Sequence, residues 1–301
     1  MPPVHVSLLR RCKHLLKESG WTNHNTFLTH KHHRLMDRRE WMKQIGGTAA
    51  GIALGRSAQL PNWQSESAPG GSFHPRQVQG RVPPEKDAVL LDSNENPLGP
   101  SPVARESVME AFNRSFRYPG AAYGTLLEQI AEREQVSTDH IVLGTGSSEV
   151  LCMAGAAYGL HGGEFVTGDP SYKGLTGYAE TMGAYVNAVP LTDDLTLDLQ
   201  MMKRRTTSST SLVFVCNPNN PTGTIVEPDV LRSFCEEVSG RAVVFIDEAY
   251  YEFVEDKEQA SAIDLVREGK NVIVSRTFSK LFGMAGLRIG YGIARPDIIE
   301  R

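Results

Sequence analysis

Lys280 stands between a β-rich run, Val272–Ser275, and the glycine-containing stretch Leu281-Phe282-Gly283-Met284-Ala285-Gly286-Leu287-Arg288. A lysine in such a place is partly desolvated, which lowers its pKa and leaves a nucleophilic amine suited to a Schiff base. Four other groups precede it in the chain. Gly144-Thr145-Gly146-Ser147-Ser148-Glu149 puts glycines and hydroxyls at the start of a helix-length run, where free backbone N–H groups favour a dianion such as phosphate. Asp169-Pro170-Ser171-Tyr172 offers an aromatic face on which a flat ring could stack. Asn217-Pro218-Asn219-Asn220-Pro221-Thr222-Gly223 is stiffened by two prolines and a glycine. Three asparagines in so short a loop are hard to explain as structure alone, and Asn220 could donate to a ring oxygen. Asp247-Glu248-Ala249-Tyr250 sets an acid where it could keep a ring nitrogen protonated. Ser279 and Arg288 could complete the phosphate site, the arginine as a fork of donors. Taken singly, each group has a plain structural alternative: a serine helix cap, a tyrosine packed at a turn, an acid capping the next turn.

Positioning these groups requires a regular scaffold. Short β-rich runs occur at Ile141–Leu143, Phe165–Thr167, Tyr185–Val189, Leu212–Cys216, Ala242–Ile246, Val272–Ser275 and Ile289–Ile293. Helix-length segments lie between several of them, as at Ser147–Tyr158, Lys173–Met182 and Asp229–Val238. Strands alternating with helices predict an α/β fold with a mainly parallel sheet. Such sheets bind ligands beyond the carboxyl ends of their strands, and all five groups come directly after a predicted strand.

The chain-ordered set resembles the fold-type I enzymes that use pyridoxal 5'-phosphate (PLP), specifically the class I/II aminotransferases, and within them the histidinol-phosphate aminotransferase branch. The resemblance covers about residues 88–301. It is most specific at Asn217–Gly223 and Ser275–Arg288, with support from Asn94-Glu95-Asn96-Pro97-Leu98-Gly99-Pro100 and Arg117-Tyr118-Pro119-Gly120. It implies a seven-stranded large domain and a smaller domain built from both chain ends. It also implies that Lys280 carries the cofactor and moves protons. Asp247 would pair with the pyridine nitrogen, Tyr250 and Asn220 would bond the phenolic oxygen, and Tyr172 would stack on the ring. Ser147, Ser148, Ser279 and Arg288 would hold the phosphate, with Thr277 as a helper. Tyr118 would reach the phosphate of a neighbouring subunit, so a homodimer with shared sites is expected. Asn94 would lie on a lid over the substrate. The implied reaction moves an amino group between an amino acid or amino-alcohol phosphate and a 2-oxo acid. A PLP decarboxylase or C–S lyase shares most of these motifs, and a truncated, non-catalytic PLP-binding protein is a third reading. Family members run on past the arginine by about 50–100 residues, whereas this sequence stops at Arg301. The expectation is an incomplete small domain, with no residue assigned to grip the substrate carboxylate.

Composition narrows the partners. The net charge of −4 gives no sign of nucleic-acid binding, and the four cysteines at 12, 152, 216 and 235 are too scattered for a metal or redox pair. No stretch approaches the ~20 apolar residues of a stable membrane span. The first 60 residues are foreign to the rest, with ten Lys or Arg against three acids. Within them Asp37-Arg38-Arg39-Glu40-Trp41-Met42-Lys43 precedes a soft apolar run, Ile45–Leu54, as in a twin-arginine export signal. The chain therefore divides into an upstream extension (1–35) that is non-native or disordered, a signal-like segment (36–58), a linker (59–87) and the aminotransferase-like region (88–301). A periplasmic location is expected if the signal is used, a cytoplasmic one if it is not.

Overall fold

The computed structural model describes residues 91–160, 162–255 and 260–301. The extension, signal-like segment and linker expected at 1–87 lie outside the described residues.

Seven strands form one sheet in the order β1-β7-β6-β5-β4-β2-β3: β1 Ile141–Thr145, β2 Glu164–Asp169, β3 Tyr185–Pro190, β4 Thr210–Cys216, β5 Val243–Asp247, β6 Val272–Thr277 and β7 Ile289–Ile293. The pairs among β2 to β6 are parallel, and β7 is antiparallel to both β6 and β1. The mainly parallel α/β sheet expected from the alternation is therefore present. Because β7 opposes both its neighbours, the carboxyl ends of β1 to β6 and the amino end of β7 share one edge.

The central strands are continuous β-branched and apolar runs because both faces are covered. Phe165, Leu212, Phe214, Phe245 and Ile273 pack on one face with Val150, Leu151 and Ala154 of helix α3 (Ser147–Gly159) and Leu175 and Ala179 of helix α4 (Gly174–Thr181). Val166, Val213, Val215, Val244, Ile246 and Val274 face the other way. They meet Met202 of helix α5 (Leu199–Arg205), and Leu231, Phe234 and Val238 of helix α6 (Pro228–Val238). Spacing of 3, 4 and 7 in α6 gives one apolar stripe, and Pro228 at its first position starts it without costing a hydrogen bond. Helix α7 (Ile263–Arg267) closes this face, while helices α1 (Pro102–Phe112) and α2 (Ala121–Glu134) precede the sheet and α8 (Pro296–Glu300) comes after it. No helix among the described residues is long and apolar enough to cross a membrane.

Candidate active site

The antiparallel return of β7 decides where Arg288 lies. Thr145 pairs with Ile289, so Arg288 sits at the end of β1 and the start of α3. Its Nη1 donates to Ser279 Oγ at 3.3 Å and to the Ala285 carbonyl at 2.9 Å. Its Nη2 reaches the Thr145 carbonyl at 3.4 Å and Ser148 Oγ at 3.5 Å. Gly146, with φ of +75°, caps α3 against this guanidinium, and a Cβ there would lie 2.9 Å from Arg288 Cζ. Thr277 Oγ1 donates to Ser279 Oγ at 3.0 Å and accepts the Ser279 N–H at 3.1 Å, which aims Ser279 at the same place. Ser147 and Ser148 open α3 there. The result is an anion cradle of guanidinium, hydroxyls and a helix N-terminus.

Asp247, at the end of β5, is buried, and its Oδ1 accepts the Ser275 hydroxyl at 2.8 Å. Burial pushes its carboxyl up to about 6, while the Ser275 and Ala249 donors and Lys280 pull the other way. Lys280 is half-buried, and desolvation lowers its ammonium below the ordinary lysine range, against the pull of Glu95 and Asp247 and with help from Arg288. Its Nζ donates to the Ser93 carbonyl at 2.9 Å and the Asn94 carbonyl at 3.3 Å, and stands 5.5 Å from the Tyr250 ring centre. Tyr250 Oη accepts from Asn94 Nδ2 at 3.0 Å and Asn220 Nδ2 at 3.4 Å. Burial and the Asp247 charge push the Tyr172 phenol up, and the Ser148 hydroxyl pulls the other way.

Residues 91–100 lie over this edge. Asn96 Nδ2 donates to the Leu281 carbonyl at 2.8 Å. Gly283, with φ of +66°, lets the two backbones touch, since a Cβ there would lie 2.7 Å from Pro100 N. Asn94, Tyr172, Asn220, Asp247, Tyr250, Lys280 and the Ser147–Ser148–Thr277–Ser279–Arg288 cradle are thus brought to one sheet edge. Tyr118 is not among them: its side chain is 99% exposed and touches none of them within this chain.

The asparagine loop has a more structural character than its composition implies. Asn217 Oδ1 accepts the Val226 N–H at 2.9 Å, and Asn219 links Ser171, Pro170 and Thr222. Both are buried scaffolding, Asn217 bracing the loop after β4 and Asn219 tying it to the β2 loop, and Asn220 is the one of the three that bonds Tyr250. Sequence reasoning also passed over a buried ionic cluster behind the site. Arg276 bonds both Glu134 oxygens at 2.8 and 2.9 Å and Glu248 Oε2 through Nε at 3.0 Å. Tyr291 Oη donates to Glu134 at 2.9 Å, and Ser261 and the Ala262 N–H donate to Glu248. An arginine in a fully buried strand, directly after the apolar run Val272-Ile273-Val274, was the available signal.

The model of the aminotransferase class I and II family matches residues 86–301. This chain belongs to that family. It is 43% identical over 216 residues to the histidinol-phosphate aminotransferase of Moorella thermoacetica, covering 71% of this chain and 56% of that protein. It is 40% identical over 225 residues to an aromatic amino acid aminotransferase of Mycolicibacterium vanbaalenii, covering 75% and 63%. The crystal structure of histidinol-phosphate aminotransferase from Sinorhizobium meliloti in complex with pyridoxal-5'-phosphate superposes with a TM-score of 0.64 at 26% identity, covering 69% of this chain and 56% of that one. The chain thus spans less than two thirds of the length of the relatives it matches.

The donor set fits a phosphorylated pyridine aldehyde. The cradle at Gly146 is space that a single Cβ would fill, and its donors are cationic or neutral hydroxyls. The buried acid and the amine of lowered basicity lie on the same edge.

Proposed function

We propose that this chain is the PLP-binding part of an aminotransferase that moves an amino group between an amino acid or amino-alcohol phosphate and a 2-oxo acid, resembling histidinol-phosphate transaminase. The observation that carries the reading is the convergence of Lys280, Asp247 and the Arg288 cradle on one sheet edge. Bound there, PLP supplies an electron sink for the substrate α-carbon. Lys280 Nζ anchors the cofactor and then accepts and returns a proton, a task helped by its lowered basicity. Asp247 keeps the ring nitrogen charged, and Tyr250 with Asn220 donates toward the phenolic oxygen. Tyr172 covers the ring, and Ser147, Ser148, Ser279 and Arg288 neutralise the phosphate, with Thr277 orienting Ser279. Asn94 lies where a lid would meet substrate. The exposed Tyr118 ring is consistent with a homodimer in which it reaches the neighbouring site. Support for export comes from Arg38-Arg39 and the apolar run after them. Folded, cofactor-loaded cargo suits that route.

The experiment is an absorbance spectrum of the protein with PLP, beside Lys280→Ala, before and after L-glutamate. A near-visible band that needs Lys280 and shifts to the amine form of the cofactor on adding glutamate is the expected result. A band that ignores amino donors, or turnover without a 2-oxo acid, sinks the transaminase reading in favour of a decarboxylase or lyase. No band at all sinks the cofactor assignment.

A further inference from the structure

Ser275 lies in β6, and strand register sets it directly beside Asp247 in β5. The serine is fully buried. Its carbonyl accepts the Glu248 N–H at 2.9 Å, and its hydroxyl donates to Asp247 Oδ1 at 2.8 Å. A buried hydroxyl needs an acceptor, and a backbone carbonyl would satisfy it. Donation to a carboxylate does more, because it favours the charged form of that carboxylate and fixes one of its oxygens. We propose that Ser275 is a positioning residue for the cofactor, holding Asp247 ionised and oriented so that it can pair with a protonated ring nitrogen. The proposal rests on the PLP reading above.

The other groups facing Asp247 leave this task largely to Ser275. Glu248, next in the chain, opposes ionisation, and Lys280 from the loop after β6 favours it only weakly. Cys216 on β4, Tyr172 after β2 and Tyr250 after β5 are neutral neighbours whose own ionisation Asp247 disfavours. Among the described residues, only the Ala249 N–H joins Ser275 as a donor against the cost of burial. Removing the Ser275 donor raises the pH at which Asp247 loses its proton.

The test uses the full chain, PLP as the probe, and two near-isosteric variants. Ser275→Thr keeps a hydroxyl, and Ser275→Val does not. PLP binding is titrated between pH 5.5 and 8 through the Lys280-dependent band. Wild type and the threonine variant should weaken together near pH 6. The valine variant should weaken about one unit higher, binding up to ~10-fold less tightly between the two midpoints and equally well at pH 8. Ser275→Ala removes the hydroxyl without added volume and must shift in the same direction. A common midpoint for Thr and Val overturns the proposal, as does an equal shift of both from wild type, which would mark a packing effect. A wild type with no Lys280-dependent band overturns the cofactor reading itself, so the two failures are distinguishable.

Discussion

Arg276→Met should be the most damaging single substitution in the scaffold behind the site. Arg276 is 2% exposed and lies between Glu134 and Glu248, exposed 3% and 1%. It donates to Glu134 twice, to Glu248 through Nε, and to Ser261 Oγ at 2.8 Å, and its guanidinium lies 4.0 Å from the Tyr251 ring centre. These bonds do not simply add, because the arginine also loses its own hydration on folding. Removing it, however, leaves Glu134 with Tyr291 and the part-exposed Arg133, whose Nε lies 3.4 Å away, and leaves Glu248 with the neutral Ser261 hydroxyl and Ala262 N–H. Breaking a buried pair in this way costs about 3–5 kcal/mol. Whole-domain stability is only about 5–15 kcal/mol. With a urea m-value of about 2–3 kcal/mol per M, the midpoint should fall by roughly 1.5 M. The three tryptophans, at positions 21, 41 and 63, all precede the described residues, so far-UV circular dichroism, which reads the sheet and helices directly, is the suitable probe. A variant with the wild-type midpoint at pH 7.5 would refute the idea that this cluster supports the fold.

Gly146→Ala tests the cradle. The new Cβ meets the mobile end of Arg288 and sits at positive φ, so the fold loses about 1–2 kcal/mol while the guanidinium is pushed off the phosphate position. PLP affinity should drop about 10- to 100-fold, the worth of charge-assisted hydrogen bonds, whereas Gly240→Ala, with open space around it, should bind as wild type does. Replacing Arg38 and Arg39 together by Lys should leave the protein in the cytoplasm when cell fractions are blotted; unchanged periplasmic recovery would rule out twin-arginine export.

Much of the fold is legible along the chain because its causes are local. β-branched runs such as Leu212–Cys216 and Val272–Ser275 mark strands buried on two faces, and the stripe in α6 marks a helix packed on one. The catalytic candidates are legible for a related reason. In a parallel sheet every strand delivers its next few residues to one edge, so Ser147, Tyr172, Asn220, Asp247 and Lys280 can be collected by reading the segment just past each strand. The loop Asn217–Gly223 shows the limit of that reasoning. Its three asparagines look alike in sequence, yet two are turned inward to bond Val226, Ser171, Pro170 and Thr222.

By itself, then, the sequence determines which segments become strands and helices, and which chemically able side chains arrive at the strand ends, since both depend on residue type and short-range spacing. Only the tertiary structure decides who meets whom. Arg288 joins Ser148, 140 residues away, because β7 returns antiparallel between β1 and β6. Arg276 finds Glu134, 142 residues away, because the end of helix α2 lies against β6, and Ser275 finds Asp247, 28 residues away, because strand order and register bring them together. The physical reason is that a buried charge or hydroxyl must be satisfied by some partner, while nothing local to it specifies which one. That choice is made when the sheet closes.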